Sequence, residues 1–305
     1  MQALSIRNLV KVYDNGVQAL KGIDLDVGEG EFFALLGPNG AGKTTAIGII
    51  TSLINKSGGD VSVFGHNIDT ELAAAKACIG VVPQEINLNQ FDKVLNIVVI
   101  QAGFYGMSRK QARSRAQDCL EQMQLWDRRD AIARDLSGGM KRRLMIARSL
   151  VHEPRLLILD EPTAGVDIEI RRSMWQFLRD INDAGTTIIL TTHYLEEAEN
   201  LCRHVAIIDQ GRLIENMPMS EFLRSLHQEI LVLNTRRPVT SMPRLDGFKV
   251  KQRAVNELEI EVNREQNLNK LFAALSNANI DVISMRNKSN RLEELFFRLT
   301  DRQDT

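Results

Sequence analysis

The sequence predicts an α/β fold built on a mostly parallel sheet, followed by a smaller α+β domain. Three apolar runs of strand length, Glu31–Leu36, Leu156–Leu159 and Thr186–Thr192, predict buried parallel strands. A strand that is covered on both faces is apolar at nearly every position, which is the pattern seen here. Helical spacing of apolar residues separates these runs, as from Ile168 to Asp183. After about residue 220 the pattern changes to short strands and helices, which indicates a second domain.

The first of these strands leads into a motif of the form G-x-x-x-x-G-K-[ST], which is typical of phosphate-binding loops. Its glycines let successive backbone N–H groups turn toward one anion, and the following helix adds free N–H donors. Lys43 is predicted to reach the β- and γ-phosphates of a nucleoside triphosphate, and the Thr44 hydroxyl to bind Mg²⁺. A glycine-rich turn without a ligand is the alternative, which the complete motif disfavours. The predicted nucleotide-binding residues here are Gly37, Pro38, Asn39, Gly40, Ala41, Gly42, Lys43, Thr44 and Thr45.

Composition excludes several classes of protein. The 305 residues carry 38 Lys and Arg against 39 Asp and Glu, a balance that argues against a protein that coats nucleic acid. The three cysteines (Cys78, Cys119 and Cys202) form no metal-binding pattern and indicate a reducing compartment. The N-terminus has no signal-peptide pattern, and no apolar run approaches the roughly 20 residues that span a bilayer. If the protein acts at a membrane, it is therefore expected to do so from the cytoplasmic side, by binding a membrane partner.

Two polar residues near predicted strands are candidates for contact with a nucleotide. Tyr13 lies between two short strands that precede the loop and could stack on adenine, although a half-buried strand tyrosine is favoured on spacing alone. Gln84 follows the strand at Cys78–Val82 and could reach a metal or an attacking water through its amide. On its own, a glutamine after a strand is more often simply solvated.

A second segment resembles an anion site. Residues 92 to about 135 show helical spacing with many charges, which predicts a helical insertion whose charged faces are solvated rather than a docking surface. Ser137, Gly138 and Gly139 follow it and open a clear helix, with Ser137 as the N-cap. A helix N-terminus with close-approach glycines can bind phosphate. An ordinary capped helix is the alternative.

Acidic and imidazole side chains close two of the buried strands. Asp160 and Glu161 end the strand at Leu156–Leu159, and ligands of parallel sheets bind at the carboxyl ends of strands. Asp160 is predicted to hold Mg²⁺, and Glu161 to polarise the attacking water or accept its proton. His193 ends the next strand and could contact a γ-phosphate, although a simple strand cap is favoured for this residue alone.

The region after residue 220 contains no cluster of catalytic residue types. It is predicted to be a regulatory, partner-binding or purely structural domain. Its predicted strands are Glu229–Leu233, Phe248–Val250, Glu257–Val262 and Ile280–Ser284, and its predicted helices are Leu268–Ser276 and Leu292–Leu299.

Taken together, these motifs resemble the ATP-binding subunits of ABC transporters in order and rough spacing. The resemblance covers about residues 3–220 and implies a P-loop NTPase fold, with a RecA-like core, an antiparallel β subdomain and a helical subdomain at about 88–150. Residues 1–220 would form the ATP-binding domain and 221–305 an accessory α+β domain. In that family two domains dimerise head to tail, and each ATP lies between the phosphate loop of one chain and the segment matching Ser137, Gly138 and Gly139 of the other.

The resemblance also assigns roles to single residues. Tyr13 matches the adenine-stacking aromatic, which reverses the local expectation, and Gln84 matches a sensor that links Mg²⁺ and water to the helical subdomain. Glu161 matches the general base, His193 the γ-phosphate switch, and Asp167 a contact across the dimer. Met140 departs from the family, which usually has Gln there, and Val166 replaces a common Leu. Neither change removes a phosphate-binding group.

The resemblance implies Mg-dependent ATP hydrolysis by a cytoplasmic homodimer at the inner face of the membrane. The segments Thr192–Glu199 and Arg291–Thr300 are similar to the drug- and polysaccharide-export subfamily, whose ATPases work with separate ABC-2-type permeases. Export through such a permease is therefore expected, with no nucleic-acid partner. A soluble ABC ATPase acting on ribosomes or DNA, or an importer ATPase, is the alternative. This sequence does not predict which molecule is transported, because the binding site for that molecule is expected on the permease.

Overall fold

The chain forms two compact units, Met1–Pro218 and Met219–Thr305. The computed structural model describes residues 1–163, 166, 168–192, 195–224, 228–239, 245, 247–263 and 266–287.

The first unit contains an antiparallel sheet of order β2-β1-β4-β5. Alternation along β1 buries Leu4 and Ile6, and Ile6 lies opposite Leu25 on one side and Val61 on the other. This alternation is typical of a sheet with one face on a core. The strands are β1 (Gln2–Val12), β2 (Gln18–Gly28), β4 (Gly58–Val63) and β5 (His66–Asn67).

A second sheet of order β10-β9-β3-β8-β7-β6 forms the centre of this unit. Its strands run parallel except β10, which pairs antiparallel with β9 through a tight turn at Gln210 and Gly211. Every residue of β3, β7 and β8 is buried, as the apolar runs predicted. The strands are β3 (Phe32–Leu36), β6 (Ile79–Val82), β7 (Leu156–Asp160), β8 (Thr187–Thr191), β9 (His204–Asp209) and β10 (Arg212–Pro218).

Helices connect these strands. Helices α3, α4 and α5 pack on one another between β6 and β7, and α4 begins with a capping box formed by Ser108 and Gln111. No helix in the described part of the chain is both long enough and apolar enough to cross a membrane. The helices of this unit are α1 (Lys43–Ile50), α2 (Leu72–Ala77), α3 (Val94–Phe104), α4 (Arg109–Gln122), α5 (Gly138–Leu150), α6 (Ile168–Asp183) and α7 (Leu195–Leu201).

One hydrophobic core joins the two sheets of the first unit and α1. It includes Leu4 and Ile6 of β1, Phe33 of β3, and Ile49 of α1. The start of α1, where the glycine-rich loop ends, is therefore anchored on a packed base.

The second unit is an antiparallel sheet of order β12-β13-β11-β14 with a helix on it. Leu233, Leu258 and Ile260 form its core with Leu271 and Leu275 of the helix. The four predicted strands and the first predicted helix are confirmed, while the second, Leu292–Leu299, lies outside the described residues. The elements are α8 (Met219–Arg224), β11 (Gln228–Thr235), β12 (Lys249–Ala254), β13 (Glu257–Asn263), α9 (Leu268–Asn277) and β14 (Val282–Asn287).

Candidate functional site

The glycine-rich loop joins the end of β3 to the start of α1. Gly42 is the N-cap of α1 and has a φ of 113°. A residue with a Cβ atom would be strained in this backbone conformation, whereas glycine adopts it freely. A Cβ atom there would lie 2.8 Å from the Ala19 carbonyl oxygen and 2.8 Å from Leu20 Cδ2. Glycine is therefore required at this position both by the backbone and by the neighbouring strand β2.

Backbone hydrogen bonds brace this loop from outside. The Gly211 N–H donates to the Ala41 carbonyl over 2.9 Å, and the Gly211 carbonyl accepts from the Lys21 N–H over 2.8 Å. The turn between β9 and β10 thus ties the loop to β2. These hydrogen bonds join groups of the protein backbone, so the fold itself fixes the shape of the loop.

Lys43 lies in the first turn of α1 and points back into the loop. Its Nζ donates to the Gly37 carbonyl over 2.7 Å and to the Pro38 carbonyl over 3.0 Å. Burial lowers the pKa of Lys43 below its ordinary value, while the charges of Glu161 and Asp160 act in the opposite direction. The ammonium group therefore lies within electrostatic reach of the two carboxylates that end β7.

Two carboxylates and an amide meet at the carboxyl edge of the parallel strands. Asp160 is buried, and its Oδ1 accepts from the Thr191 hydroxyl at the end of β8. Gln84, just beyond β6, donates from Nε2 to Glu161 Oε2 over 3.0 Å. The structure thus brings Lys43, Gln84 and Glu161 to the carboxyl edge of the parallel strands, where ligands of such sheets bind.

Glu161 has an uncommon backbone conformation. Its φ is 49°, in the left-handed region, and its N–H donates to the Thr191 carbonyl over 2.9 Å. Such a conformation costs a non-glycine residue on the order of 1–2 kcal/mol. Strain of this kind is held by surrounding contacts, and here it aims a half-buried carboxylate at the Gln84 amide.

Tyr13 is half-buried beside the first turn of α1. Its Oη lies 3.2 Å from Thr45 Oγ1, and Lys11 Nζ lies 4.9 Å from the ring centroid. Thr44, which precedes Thr45 in the helix, is exposed. Tyr13, Thr44 and Thr45 therefore lie together at the mouth of the loop.

The second glycine segment opens α5 and faces solvent. The Ser137 side chain caps the helix by accepting from the Met140 N–H over 3.3 Å, which confirms the predicted N-cap. Ser137 and Gly138 are exposed, and a Cβ on Gly138 would meet no atom of the described residues within 4 Å. In the sheet order, β8 and β7 separate β3, which carries the first loop, from β6, beside which α5 packs.

Two site residues from the sequence lie outside the described part of the chain. These are Asp167 and His193. Their expected roles stay predictions.

The structure also reveals residues that sequence reasoning missed. Arg142 is 4% exposed, and Thr191 is fully buried against Asp160. Arg142 could have been found, because it shares the buried face of α5 with Met145, Ile146 and Ser149 at helical spacing. An arginine on an otherwise buried face requires a partner.

Comparison with known proteins gives consistent matches. The model of the ABC transporter family matches residues 20–164. The linearmycin resistance ATP-binding protein LnrL of Bacillus subtilis is 35% identical to this chain, and the match covers 98% of each. The daunorubicin/doxorubicin resistance ATP-binding protein DrrA of Streptomyces peucetius is 35% identical over 98% of this chain and 92% of its own. The Nod factor export ATP-binding protein I of Cupriavidus metallidurans is 42% identical over 73% of each chain.

Solved structures match about seven tenths of the chain. The dimeric, post-hydrolysis structure of the ATP-binding cassette MJ0796, bound to ADP and Pi, has a TM-score of 0.65 and 28% identity, and the match covers 71% of this chain and 98% of that one. The structure of cbiO1 from Clostridium perfringens, part of the ABC transporter complex cbiONQ, has a TM-score of 0.67 and 30% identity. That match covers 73% of this chain and 91% of the other.

Proposed function

Because this chain belongs to the ATP-binding subunits of the ABC transporter family, we propose that it works as a homodimer that drives export through a separate ABC-2-type membrane permease. The chain is an ATP-hydrolysing subunit, as the matching family and its relatives are. The observation that carries the proposal is the meeting of Lys43, Gln84 and Glu161 beside a braced phosphate-binding loop.

Each residue has a chemical role in this proposal. The loop amides and Lys43 bind the β- and γ-phosphates, and Tyr13 stacks on the adenine. Glu161 accepts the proton of the attacking water, and Gln84 orients that water against it. His193 contacts the γ-phosphate. The chemistry of each side chain suits its role. The Gln84–Glu161 hydrogen bond is made while Glu161 holds its strained backbone conformation.

The polar groups at this edge also fit a magnesium ion. Within the described ranges no three His, Cys, Asp or Glu side chains come together as a metal cluster. Magnesium does not need such a cage, because it retains water and commonly binds through one or two carboxylates together with substrate phosphates. Thr44, Gln84 and Asp160 would hold it with ATP. When bound, it would neutralise charge on the phosphates.

The second half of the nucleotide site is assigned to a second copy of the chain. The exposed N-terminus of α5 carries free N–H donors and a partial positive charge, both suited to the γ-phosphate. Ser137, Gly138 and Gly139 would contact ATP held by the partner, with Asp167 as a further contact across the dimer. A dimeric relative of known structure supports this arrangement.

ATP would then drive motion by binding one state of the dimer more tightly than the other. A ligand shifts an equilibrium only by its differential affinity for the two states. ATP between two half-sites favours the closed dimer, and hydrolysis removes the bridging phosphate and favours the open one. That cycle is the work delivered to the permease.

A surface of the first unit is suited to a membrane partner. A cavity of about 320 Å³ is lined by apolar and basic side chains of the helical part and the sheet edge, among them Leu53, Lys76, Tyr105 and Arg148. Leu53 is 80% exposed. The Tyr105 ring stacks on His152 with 3.5 Å between centroids, which makes one wall rigid. We place the permease contact here, which would hold the chain at the inner face of the cell membrane.

Export rather than import is supported by the relatives. Three of them are named for export or for resistance to an antibiotic. The near-neutral charge of the chain gives no support to a nucleic-acid partner.

Association with a permease can be tested in membranes. A multi-helix membrane protein encoded beside this chain is first sought in the genome, and the two are then co-expressed and purified in detergent. Leu53→Asp should weaken recovery of the membrane protein by about 10-fold or more, because a charge would be buried in the contact. Val255→Asp, at a 65% exposed position of the second unit, is the matched control. Recovery of ribosomes or DNA in place of a membrane protein would contradict the proposal.

A further inference from the structure

Arg142 is a buried guanidinium beside the nucleotide site. It lies in the second turn of α5, just after the Ser137, Gly138 and Gly139 segment, and is 4% exposed. Burying a charge is costly unless it is hydrogen-bonded. Its Nη1 donates to the Pro83 carbonyl over 2.8 Å, and its Nη2 donates to the Gln84 carbonyl over 2.7 Å. One side chain of α5 therefore holds two successive peptide groups just beyond β6.

Those peptide groups carry the amide that reaches Glu161. Strand β6 ends at Val82, so Pro83 and Gln84 lie beyond its parallel ladder with β7. Pro83 itself has no N–H to donate, so its carbonyl is the one backbone group of this residue that a hydrogen bond can hold. Gln84 Nε2 then donates to Glu161 Oε2 over 3.0 Å. Continuous hydrogen-bonded contacts thus run from α5 through the Gln84 backbone and side chain to Glu161.

Electrostatics favours the guanidinium in this place. Burial lowers the pKa of Arg142, and the charges of Asp160 and Glu161 oppose that shift. An arginine remains protonated in proteins, so Arg142 keeps its charge and its donors. The neighbouring Arg143 differs, because its Nη1 donates to the Met123 carbonyl and to Gln124, away from Gln84.

We propose that Arg142 is a positioning residue for ATP hydrolysis, which fixes the backbone at Pro83 and Gln84 so that the Gln84 amide meets Glu161. This inference rests on the proposed function, in which Gln84 and Glu161 act on the attacking water. In the proposed dimer the first turn of α5 contacts the ATP of the partner. Arg142 therefore connects that contact to Glu161, the proposed general base of the chain's own site.

A purely structural role would give a different result. If Arg142 only holds α5 against the sheet, its loss should lower stability and act independently of Gln84. If it acts through Gln84, its loss should have little further effect once the Gln84 amide is gone. Residues that share one network give non-additive effects, and a double-mutant cycle measures this.

The experiment measures ATP turnover of the purified full chain over a range of MgATP concentrations. Arg142→Met and Gln84→Ala should each lower kcat by about 10-fold, because a small misplacement at the reacting centre is costly. The KM of Arg142→Met for MgATP should stay within about 2-fold, since the phosphate loop and the Gln84 side chain are intact in this variant. The double variant should lie within about 2-fold of Gln84→Ala. Arg143→Met is the matched control and should retain wild-type kcat.

A conservative variant keeps the test decisive. Arg142→Lys retains the charge and can make one of the two hydrogen bonds, so its kcat should fall between wild type and Arg142→Met. The cycle is run with Arg142→Lys if Arg142→Met does not fold. Losses that multiply in the double variant, or a wild-type kcat in Arg142→Met, would overturn the coupling alone. A wild-type kcat in Gln84→Ala would overturn the role of Gln84 in the proposed function and the coupling with it.

Discussion

Glu161 shows how single residues set the chemistry of this protein. Its carboxylate accepts from Gln84, its N–H donates to the Thr191 carbonyl, and its φ of 49° is held by these neighbours. The sequence predicted that Glu161 lies at the end of a buried strand. The strained backbone was not predictable, because glutamate has no propensity for the left-handed region.

Lys43 carries the clearest prediction for nucleotide affinity. Lys43→Ala removes a half-buried ammonium group. This group donates to two carbonyls of the loop and is placed to reach a phosphate held there. A charge-assisted hydrogen bond contributes about 1.5–3 kcal/mol, so the Kd for ATP should rise about 10- to 100-fold. Isothermal titration calorimetry measures the Kd. Lys93→Ala, in an exposed ion pair with Asp130, is the control. An unchanged affinity would contradict the phosphate role.

Glu197 predicts how stability depends on pH. This carboxyl of α7 is buried and accepts from Trp175 Nε1 over 3.0 Å. Burial raises the pKa of Glu197 above its ordinary value, and hydrogen bonds from Thr192 and Trp175 oppose this shift. Because the folded-state pKa is raised, the stability that Glu197 contributes is present at low pH. It is lost as the pH rises from the ordinary carboxyl range through the folded-state pKa.

Glu197→Gln should remove that dependence, since the neutral amide can still accept from Trp175. The free energy of unfolding of the variant, relative to wild type, should increase as the pH rises above about 4.5. Urea unfolding followed by tryptophan fluorescence between pH 4.5 and 8 measures this difference. Glu196→Gln, at an exposed position of the same helix, is the control. A difference that is constant with pH would be inconsistent with a raised pKa.

Among the elements, the loop between β3 and α1 depends most on its neighbours. Gly42→Ala combines a left-handed backbone with a Cβ that would lie 2.8 Å from the Ala19 carbonyl. Gly106→Ala, at the turn before α4, has a φ of 77° but open space around the Cβ. The Gly106 variant should therefore lose about 1 kcal/mol, or about 2–4 °C in Tm, and the Gly42 variant clearly more.

The Gly42 variant should also lose ATP affinity, whereas the Gly106 variant should keep it. Differential scanning calorimetry and ATP titration measure the two effects. Equal losses of Tm in both variants would show that β2 does not press on the loop.

The sequence predicted most elements, and the errors lie where turns and packing decide. The apolar run after the glycine-rich loop predicts a helix over Thr45–Leu53, but α1 ends at Ile50, because Ser52 adopts a left-handed φ of 57° and the N–H groups of Leu53 and Ile54 both donate to the Gly48 carbonyl. Helical spacing likewise extends from Ser108 to Leu125, but α4 ends at Gln122, because Gln124 has a φ of 55°.

Short elements and buried charges were the other omissions. Helix α2 and strand β5 are too short for a periodic signal; β5 pairs with β4, and α2 packs beside β5. Arg142 was not singled out from the sequence, although helical spacing places it on the buried face of α5. Its two carbonyl partners lie more than 50 residues away in the chain, so those partners depend on the fold and leave no local pattern.

At the scale of the whole molecule, the two segments proposed as half-sites lie apart in the sheet. The phosphate loop follows β3, and the exposed start of α5 lies beside β6, with two strands between them. In the proposed dimer, each chain would therefore offer its two half-sites to different ATP molecules. This division explains why hydrolysis would require two copies, and why ATP binding could move a permease.

A double variant tests the proposed general base, Glu161, together with the proposed second half-site at Ser137. Glu161→Gln should bind MgATP but turn over at least about 100-fold more slowly, because the proton acceptor is lost. ATP should then hold two chains together, and analytical ultracentrifugation should show the mass doubling only with MgATP. Adding Ser137→Arg, at the exposed N-cap of α5, should abolish that dimer. Wild-type turnover in Glu161→Gln, or an ATP-dependent dimer that survives Ser137→Arg, would contradict a site shared between two copies of this chain.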